Sequence, residues 1–221
     1  MTPERFNRLR TALARRQPDL TVLMDSVNKS HNVSAILRTA DAVALQRLHA
    51  IAPNALLRRH HMIAGGAKRW VELVLHPSTE VALATLREEG FRLVAAHAGD
   101  GARDFREVDY TRKTALMVGA ELFGLSAQAL AAADELVAIP MHGLGMSLNV
   151  SVATGAILLE AERQRHAAGM YANCRLSPEE FERTLFEWCY PHIAARCRDL
   201  KRAYPPLSAE GSLTVNPLLA P

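Results

Sequence analysis

The stretch Ile139-Pro140-Met141-His142-Gly143-Leu144-Gly145-Met146-Ser147-Leu148-Asn149-Val150-Ser151-Val152-Ala153 runs from a short strand through a glycine loop into a helix. Leu136 to Ile139 reads as a core strand, and Pro140 terminates it, because proline has no N–H to give to a ladder. Gly143 to Met146 reads as a loop, and Ser147 is expected to open a long helix reaching about His166. That helix is apolar nearly all round at its start and is therefore expected to be buried. Ser147, Asn149 and Ser151 put three polar side chains into five positions beside the loop. They cost stability there unless they meet one another or a ligand. The plain alternative, Ser147 as an N-cap and Asn149 as a satisfied buried amide, is strained.

Two earlier segments follow the same logic. In Val118-Gly119-Ala120-Glu121-Leu122-Phe123-Gly124-Leu125-Ser126, a buried strand from Ala115 to Val118 ends in glycine. An acid and a second glycine then precede a small helix, Ser126 to Ala133, which suits close approach of a ligand to backbone. The segment has neither the GxGxxG spacing of a dinucleotide fingerprint nor the GK[ST] of a phosphate loop. An ordinary strand-to-helix turn with Glu121 as a helix-start acid remains open. The other segment is Asn32 to Arg38. Val33, Ile36, Leu37, Ala40, Val43 and Ala44 set a helical period over residues 31–45. Asn32 sits near the helix start and Arg38 projects away from the apolar stripe. A capping Asn32 and a surface Arg38–Asp41 pair would explain these positions without a site.

Around these segments, Leu20 to Met24, Leu48 to Ala52, Val71 to Leu75 and Phe91 to Ala96 read as further short strands. Thr79 to Glu89 reads as an amphipathic helix closed by Gly90. His60 to Arg69 holds a small-residue loop, Ala64-Gly65-Gly66-Ala67, and Gly99 to Tyr110 reads as a polar connection. Strands alternating with helices predict an α/β fold with buried parallel strands. At the front, Thr2-Pro3-Glu4 starts a helix with Phe6, Leu9 and Leu13 on one stripe, ended by Pro18. At the back, Ser177-Pro178-Glu179-Glu180 is a capping box. Its helix, interrupted at Pro191, is expected to reach about Tyr204 before an extended tail. The organisation expected is a basic N-terminal helix over 1–19, a core over 20–168, and a helical extension with tail over 169–221.

The formal net charge of +3 says little, but its distribution says more. The first sixteen residues carry Arg5, Arg8, Arg10, Arg15 and Arg16 against the single acid Glu4. Clustered guanidinium groups suit a phosphate backbone, although a solvated helix face explains them equally. Cys174, Cys189 and Cys197 form no CxxC pair and no disulfide framework. The first residues are charged, unlike a secretory leader. The longest uncharged stretch, Gly143 to Leu159, is short for a membrane span and contains Ser147, Asn149, Ser151 and Thr154. These features lead us to expect a cytoplasmic protein with no membrane partner and no metal.

Taken together, Asn32 to Ala40, Gly119 to Leu125, and Ile139-Pro140-Met141 through Ser147 to Ser151 resemble, in order and spacing, the three motifs of the SPOUT superfamily. The branch they resemble is the TrmH type of RNA ribose methyltransferases. Ala14 to Val22, Asp104 to Glu107, Asp109 to Arg112 and Ala168 to Tyr171 extend the likeness toward the tRNA guanosine-2'-O-methyltransferases of that branch. It covers about residues 1 to 200. The resemblance implies a SPOUT-type parallel sheet flanked by helices, a C-terminal trefoil knot and a homodimer. It also implies S-adenosyl-L-methionine as methyl donor, held largely by backbone groups of Ala96, Gly119, Ile139, Met141 and Leu148.

The implied reaction is 2'-O-methylation of a tRNA ribose, with guanosine at nucleotide 18 of the D-loop as target. Arg38 would face the 2'-hydroxyl, either as general base or as a cation holding the adjacent phosphate and steadying the developing alkoxide. Asn32, Glu121, Ser147 and Asn149 would orient it and the donor. Arg8, Arg10, Arg15 and Arg16 are the expected tRNA contacts. The readings left beside this one are another tRNA or rRNA nucleotide, or a non-catalytic knotted RNA-binding module. A doubly wound oxidoreductase is disfavoured by the missing GxGxxG.

Overall fold

The computed structural model describes residues 1–53, 69–120 and 123–214. The small-residue loop at Ala64 to Ala67 lies outside them. The chain divides into a central unit, Gln17–Met170, and a terminal unit that joins Met1–Arg16 to the chain from Tyr171 onward.

The central unit holds strands β1 (Leu20–Asp25), β2 (Arg47–Ile51), β3 (Glu72–His76), β4 (Arg92–Ala96), β5 (Arg103–Asp104), β6 (Thr114–Gly119) and β7 (Glu135–Ala138). Helices α2 (Ser30–Ala42), α3 (Thr79–Glu88), α4 (Ala127–Ala131) and α5 (Val150–Ala167) lie between and after them. One sheet runs in the order β3-β2-β1-β6-β4-β7-β5, and the neighbouring strands pair in parallel. Every residue of β1 is buried, as befits a parallel strand covered on both faces.

Alternation along the strands sorts the side chains onto two cores. Val22, Met24, Val94, Leu116 and Val118 meet Ile36 and Leu37 of α2 and Ile157 and Leu158 of α5. Leu23, Leu93, Ala95, Ala115 and Met117 meet Ala82 and Leu86 of α3 and Ala129 of α4. The helices thus form a layer on each side of the sheet. The connection expected from Gly99 to Tyr110 contains the two-residue edge strand β5 and a 3₁₀ turn, Phe105–Glu107. So short and polar an element has no hydrophobic period to betray it.

The base of the sheet is pinned by Arg165 of α5, whose side chain is fully buried. It donates to the carbonyls of Tyr110, Asp19 and Arg112 and to the side chains of Gln17 and Asp19. A buried guanidinium is tolerable only when its donors are met in this way.

The terminal unit contains α1 (Pro3–Ala14), α6 (Pro178–Cys189) and α7 (Pro191–Asp199). Thr2 caps α1 and Ser177 caps α6, each with proline in the first turn. Phe6, Leu9 and Leu13 are buried, as are Leu185, Phe186, Trp188 and Cys197. The last helix ends at Asp199, short of the Tyr204 expected, because Lys201 turns left-handed at φ 51°. The tail stays attached beyond it. The Tyr204 ring stacks on Phe186 at 4.7 Å, and the Tyr190 hydroxyl donates to the Gly211 carbonyl at 2.8 Å.

Candidate active site

Parallel strands bring their C-terminal ends to one edge of the sheet. Asp25 of β1 pairs with Gly119 of β6, and Ala96 of β4 pairs with Val137 of β7. The sheet is built outward from β1 toward β3 on one side, and through β6 toward β5 on the other. The reversal lies between β1 and β6. In an open α/β sheet, the crevice beyond the carboxyl ends at such a reversal is where ligands bind.

The loop leaving β6 closes tightly. Ala120 and Gly124 exchange backbone hydrogen bonds of 3.0 and 2.8 Å. A Cβ on Gly119 would fall 2.0 Å from the Gly124 carbonyl carbon and 2.2 Å from the Leu125 nitrogen. Only glycine fits, because the returning chain lies directly against its Cα. Asp25, absent from the sequence-based candidates, braces this loop. Its carboxylate is buried and accepts the Ser126 backbone N–H at 2.8 Å, at the point where Ser126 caps α4. An acid ending an otherwise apolar strand was the available signal. Glu121 lies outside the described residues.

The loop leaving β7 is open. Residues 139–149 form neither helix nor strand, and 141–149 are all exposed. The helix that follows begins at Val150, and its N-cap is Asn149 rather than Ser147. Ser147 stays in the loop. Asn149 wins the cap because its Oδ1 accepts the Ser151 backbone N–H at 2.9 Å, while its Nδ2 donates 3.2 Å to Oδ1 of Asn32. Asn32 is only 2% exposed and lies in the first turn of α2. The first and third motifs, 117 residues apart, therefore touch. The expectation that α5 begins buried all round does not hold, since Val152 is 55% and Leu159 is 58% exposed.

Arg38 lies on α2 six residues beyond Asn32, about 9 Å along the axis. It is exposed, and it makes no ion pair with a described residue. Ala96 and Ile139 pack partly buried against the core, whereas Met141 and Leu148 are 38% and 39% exposed. Of the five N-terminal arginines, Arg5, Arg8, Arg10 and Arg15 are exposed. Arg16 differs: it is buried, with its guanidinium 5.0 Å from the Trp188 ring centre.

A second polar pair lies in the β2–β3 half of the sheet. His49 Nδ1 and His76 Nε2 are 2.8 Å apart and both rings are buried. Burial, then the neighbouring His76 and Arg47, push His49 down to about 3. Burial also lowers His76, against the pull of Glu89. Both rings are therefore neutral, one donating and one accepting.

Among the described residues no helix is long and apolar enough to cross a membrane. Residues 19–159 match the SpoU rRNA Methylase family, and residues 163–216 match the SpoU, rRNA methylase, C-terminal family. The chain is similar to the tRNA (guanosine(18)-2'-O)-methyltransferase of Escherichia coli K12, with 46% identity over 96% of this chain and 94% of that one. Its fold is similar to the crystal structure of the Aquifex aeolicus TrmH/SpoU tRNA modifying enzyme, with TM-score 0.78 and 42% identity over 86% of this chain and 97% of the other. It is also similar to the SpoU methyltransferase AviRb of Streptomyces viridochromogenes in complex with AdoMet, with TM-score 0.60 and 31% identity over 68% and 62% of the two chains. The tight β6 loop, the open β7 loop and the amide pair between motifs thus sit in a chain whose length is matched almost throughout, and that chain belongs to the SpoU methylase family.

Proposed function

We propose that the chain transfers a methyl group from S-adenosylmethionine to the ribose 2'-hydroxyl of guanosine 18 in tRNA. The observation that carries the reading is the Asn149–Asn32 hydrogen bond, which draws the loop after β7 to the start of α2, the helix that carries Arg38. The target follows the activity that the Escherichia coli relative is named for. The donor follows the AdoMet complex of the AviRb relative.

Backbone groups at Ala96, Gly119, Ile139, Met141 and Leu148 would hold the donor, which supplies an electrophilic methyl carbon. The chain's own residues must prepare the oxygen. A ribose hydroxyl is a weak nucleophile until its proton leaves. A guanidinium stays a cation in proteins, so Arg38 serves best by gripping the adjacent phosphate and stabilising negative charge on the attacking oxygen. Asn32, Asn149, Ser147 and Glu121 complete the proposed site.

Arg5, Arg8, Arg10 and Arg15, exposed on α1 and at its C-terminal end, would bind the tRNA backbone. Phosphate contacts of this kind set affinity rather than base choice. A trefoil knot formed by the β6 and β7 loops is part of the proposal, as is a homodimer. The dimer is supported by the exposed Met146, Leu148, Val152 and Leu159 on and before α5, since each such side chain gains about 1–3 kcal/mol when covered. Sedimentation equilibrium giving the 24.3 kDa monomer mass alone would exclude it. A cytoplasmic location is also part of the proposal, in keeping with a tRNA substrate. The family description names rRNA, so target choice needs direct assay. Labelled-methyl transfer to tRNA and rRNA, with mass-spectrometric mapping of the product, is expected to find 2'-O-methylguanosine at tRNA position 18. Methylation confined to rRNA would overturn the choice of target.

A further inference from the structure

We infer that Ser151 is a positioning residue that sets the polarity of the Asn149–Asn32 amide pair. The inference rests on placing those two asparagines in the methyl-transfer site. A backbone N–H can only donate, so the Asn149 atom that faces the Ser151 nitrogen at 2.9 Å must be Oδ1. The Ser151 hydroxyl donates to the same oxygen at 2.6 Å. With Oδ1 held by two donors from one residue, Nδ2 is turned to the opposite side. There it can only donate, so the Asn32 atom it meets at 3.2 Å must be Oδ1.

Asn32 consequently presents its own NH₂ on the far side of its amide, as a donor. Three side chains and one helix turn thus form a directional relay. Ser151 gives to Asn149, Asn149 gives to Asn32, and the buried Asn32 keeps its NH₂ as the donor end of the chain. A donor at that point suits an acceptor: a carboxylate of the site or a ribose or phosphate oxygen. Reversing either amide would present a carbonyl oxygen and repel the same group. The hydroxyl matters because both bonds are exposed to water and each is individually modest, so the second adds to what a reversed Asn149 amide would lose. Valine, which also packs at the first turn of a helix, would remove the hydroxyl bond to Asn149 and leave the backbone N–H bond in place.

The test compares Ser151→Ala, Ser151→Thr, Asn32→Ala and Asn149→Ala in full-length protein. It reads kcat, KM for tRNA, donor affinity and thermal midpoint. In Ser151→Ala the loss of one hydrogen bond is expected to lower kcat about three- to tenfold, with KM, donor affinity and midpoint near the parent. In Ser151→Thr the rate returns, because threonine keeps the hydroxyl at the same carbon. A parent-like rate in Ser151→Ala, or a threonine variant as slow as the alanine, overturns the role of Ser151. So does a rate loss that only tracks loss of folded protein. Parent-like rates in Asn32→Ala and Asn149→Ala would instead overturn the site assignment itself, whatever Ser151 does.

Discussion

Arg38 is exposed on α2 without an ion pair among the described residues, which is unusual only if nothing is meant to meet it. The proposed phosphate contact would make use of that position. Arg38→Ala is expected to lower kcat by at least about 100-fold, as loss of one charge-stabilising group does, while calorimetry shows donor affinity unchanged. Arg38→Lys is expected to fail nearly as badly, since a point charge cannot reproduce the planar fork. Loss of donor affinity in Arg38→Ala would contradict the assignment. At this scale the sequence showed which residues were unusual but not how they were held. Arg16 looked like its neighbours in a basic cluster, yet it is buried over Trp188. Nothing in a local pattern separates a stacked arginine from a displayed one, because the partner is 172 residues away (188 − 16).

At the level of elements, helix ends carry the clearest lessons. α2 closes with Leu45 N–H on the Ala40 carbonyl at 2.8 Å and Ala44 N–H on the Asp41 carbonyl at 3.0 Å, the paired bonds of a Schellman motif. α3 and α5 close the same way around Gly90 and Gly169. In α2 the left-handed position is Ala44 at φ 60°. Ala44→Gly is therefore expected to stabilise the protein by about 1 kcal/mol, and an unchanged or lowered urea midpoint would contradict this.

The His49–His76 pair makes a second prediction. Unfolded histidine titrates near 6.5, whereas burial holds His49 down to about 3 and lowers His76. Below about pH 6.5 the unfolded chain binds protons that the folded chain refuses, so the pair lowers stability as pH falls toward about 3 and leaves it unaffected above neutrality. Each histidine contributes at most about 1.4 kcal/mol per pH unit. Urea midpoints that fall between about pH 7 and 5, and fall less in His49→Gln, are expected; identical slopes would refute the pair's role.

Most strands and helices were legible from period and punctuation, as with the Ser177 cap and the Gly90 stop. The cap of α5 was not, because Ser147 and Asn149 are both good caps two residues apart. The choice was made by Asn32, from another element. The exposed start of α5 was misread for a related reason. An apolar stretch of sequence does not tell which of its faces the chain itself covers, and Val152 and Leu159 stay exposed.

For the whole molecule, α/β class and parallel strands followed from composition and alternation, but strand order did not. Placing β6 between β1 and β4 is a long-range choice, and it is what aligns the β1, β6 and β7 ends. The terminal unit tests the RNA reading. Replacing Arg8, Arg10 and Arg15 with glutamine is expected to flatten the dependence of log tRNA affinity on log salt by about 2–3 units, near one per lost phosphate contact. An unchanged slope would remove them as contacts. Arg16→Gln is expected to lower thermal stability instead.

All of this depends on one place, where the loop after β7 meets the start of α2. Crystals grown with S-adenosylmethionine test it most directly. Donor density lying along Ala96, Gly119, Ile139, Met141 and Leu148, with its methyl group turned toward the Asn32 and Arg38 helix, is the expected result. Well-ordered donor bound anywhere else, or none at that edge under saturating donor, would contradict the account.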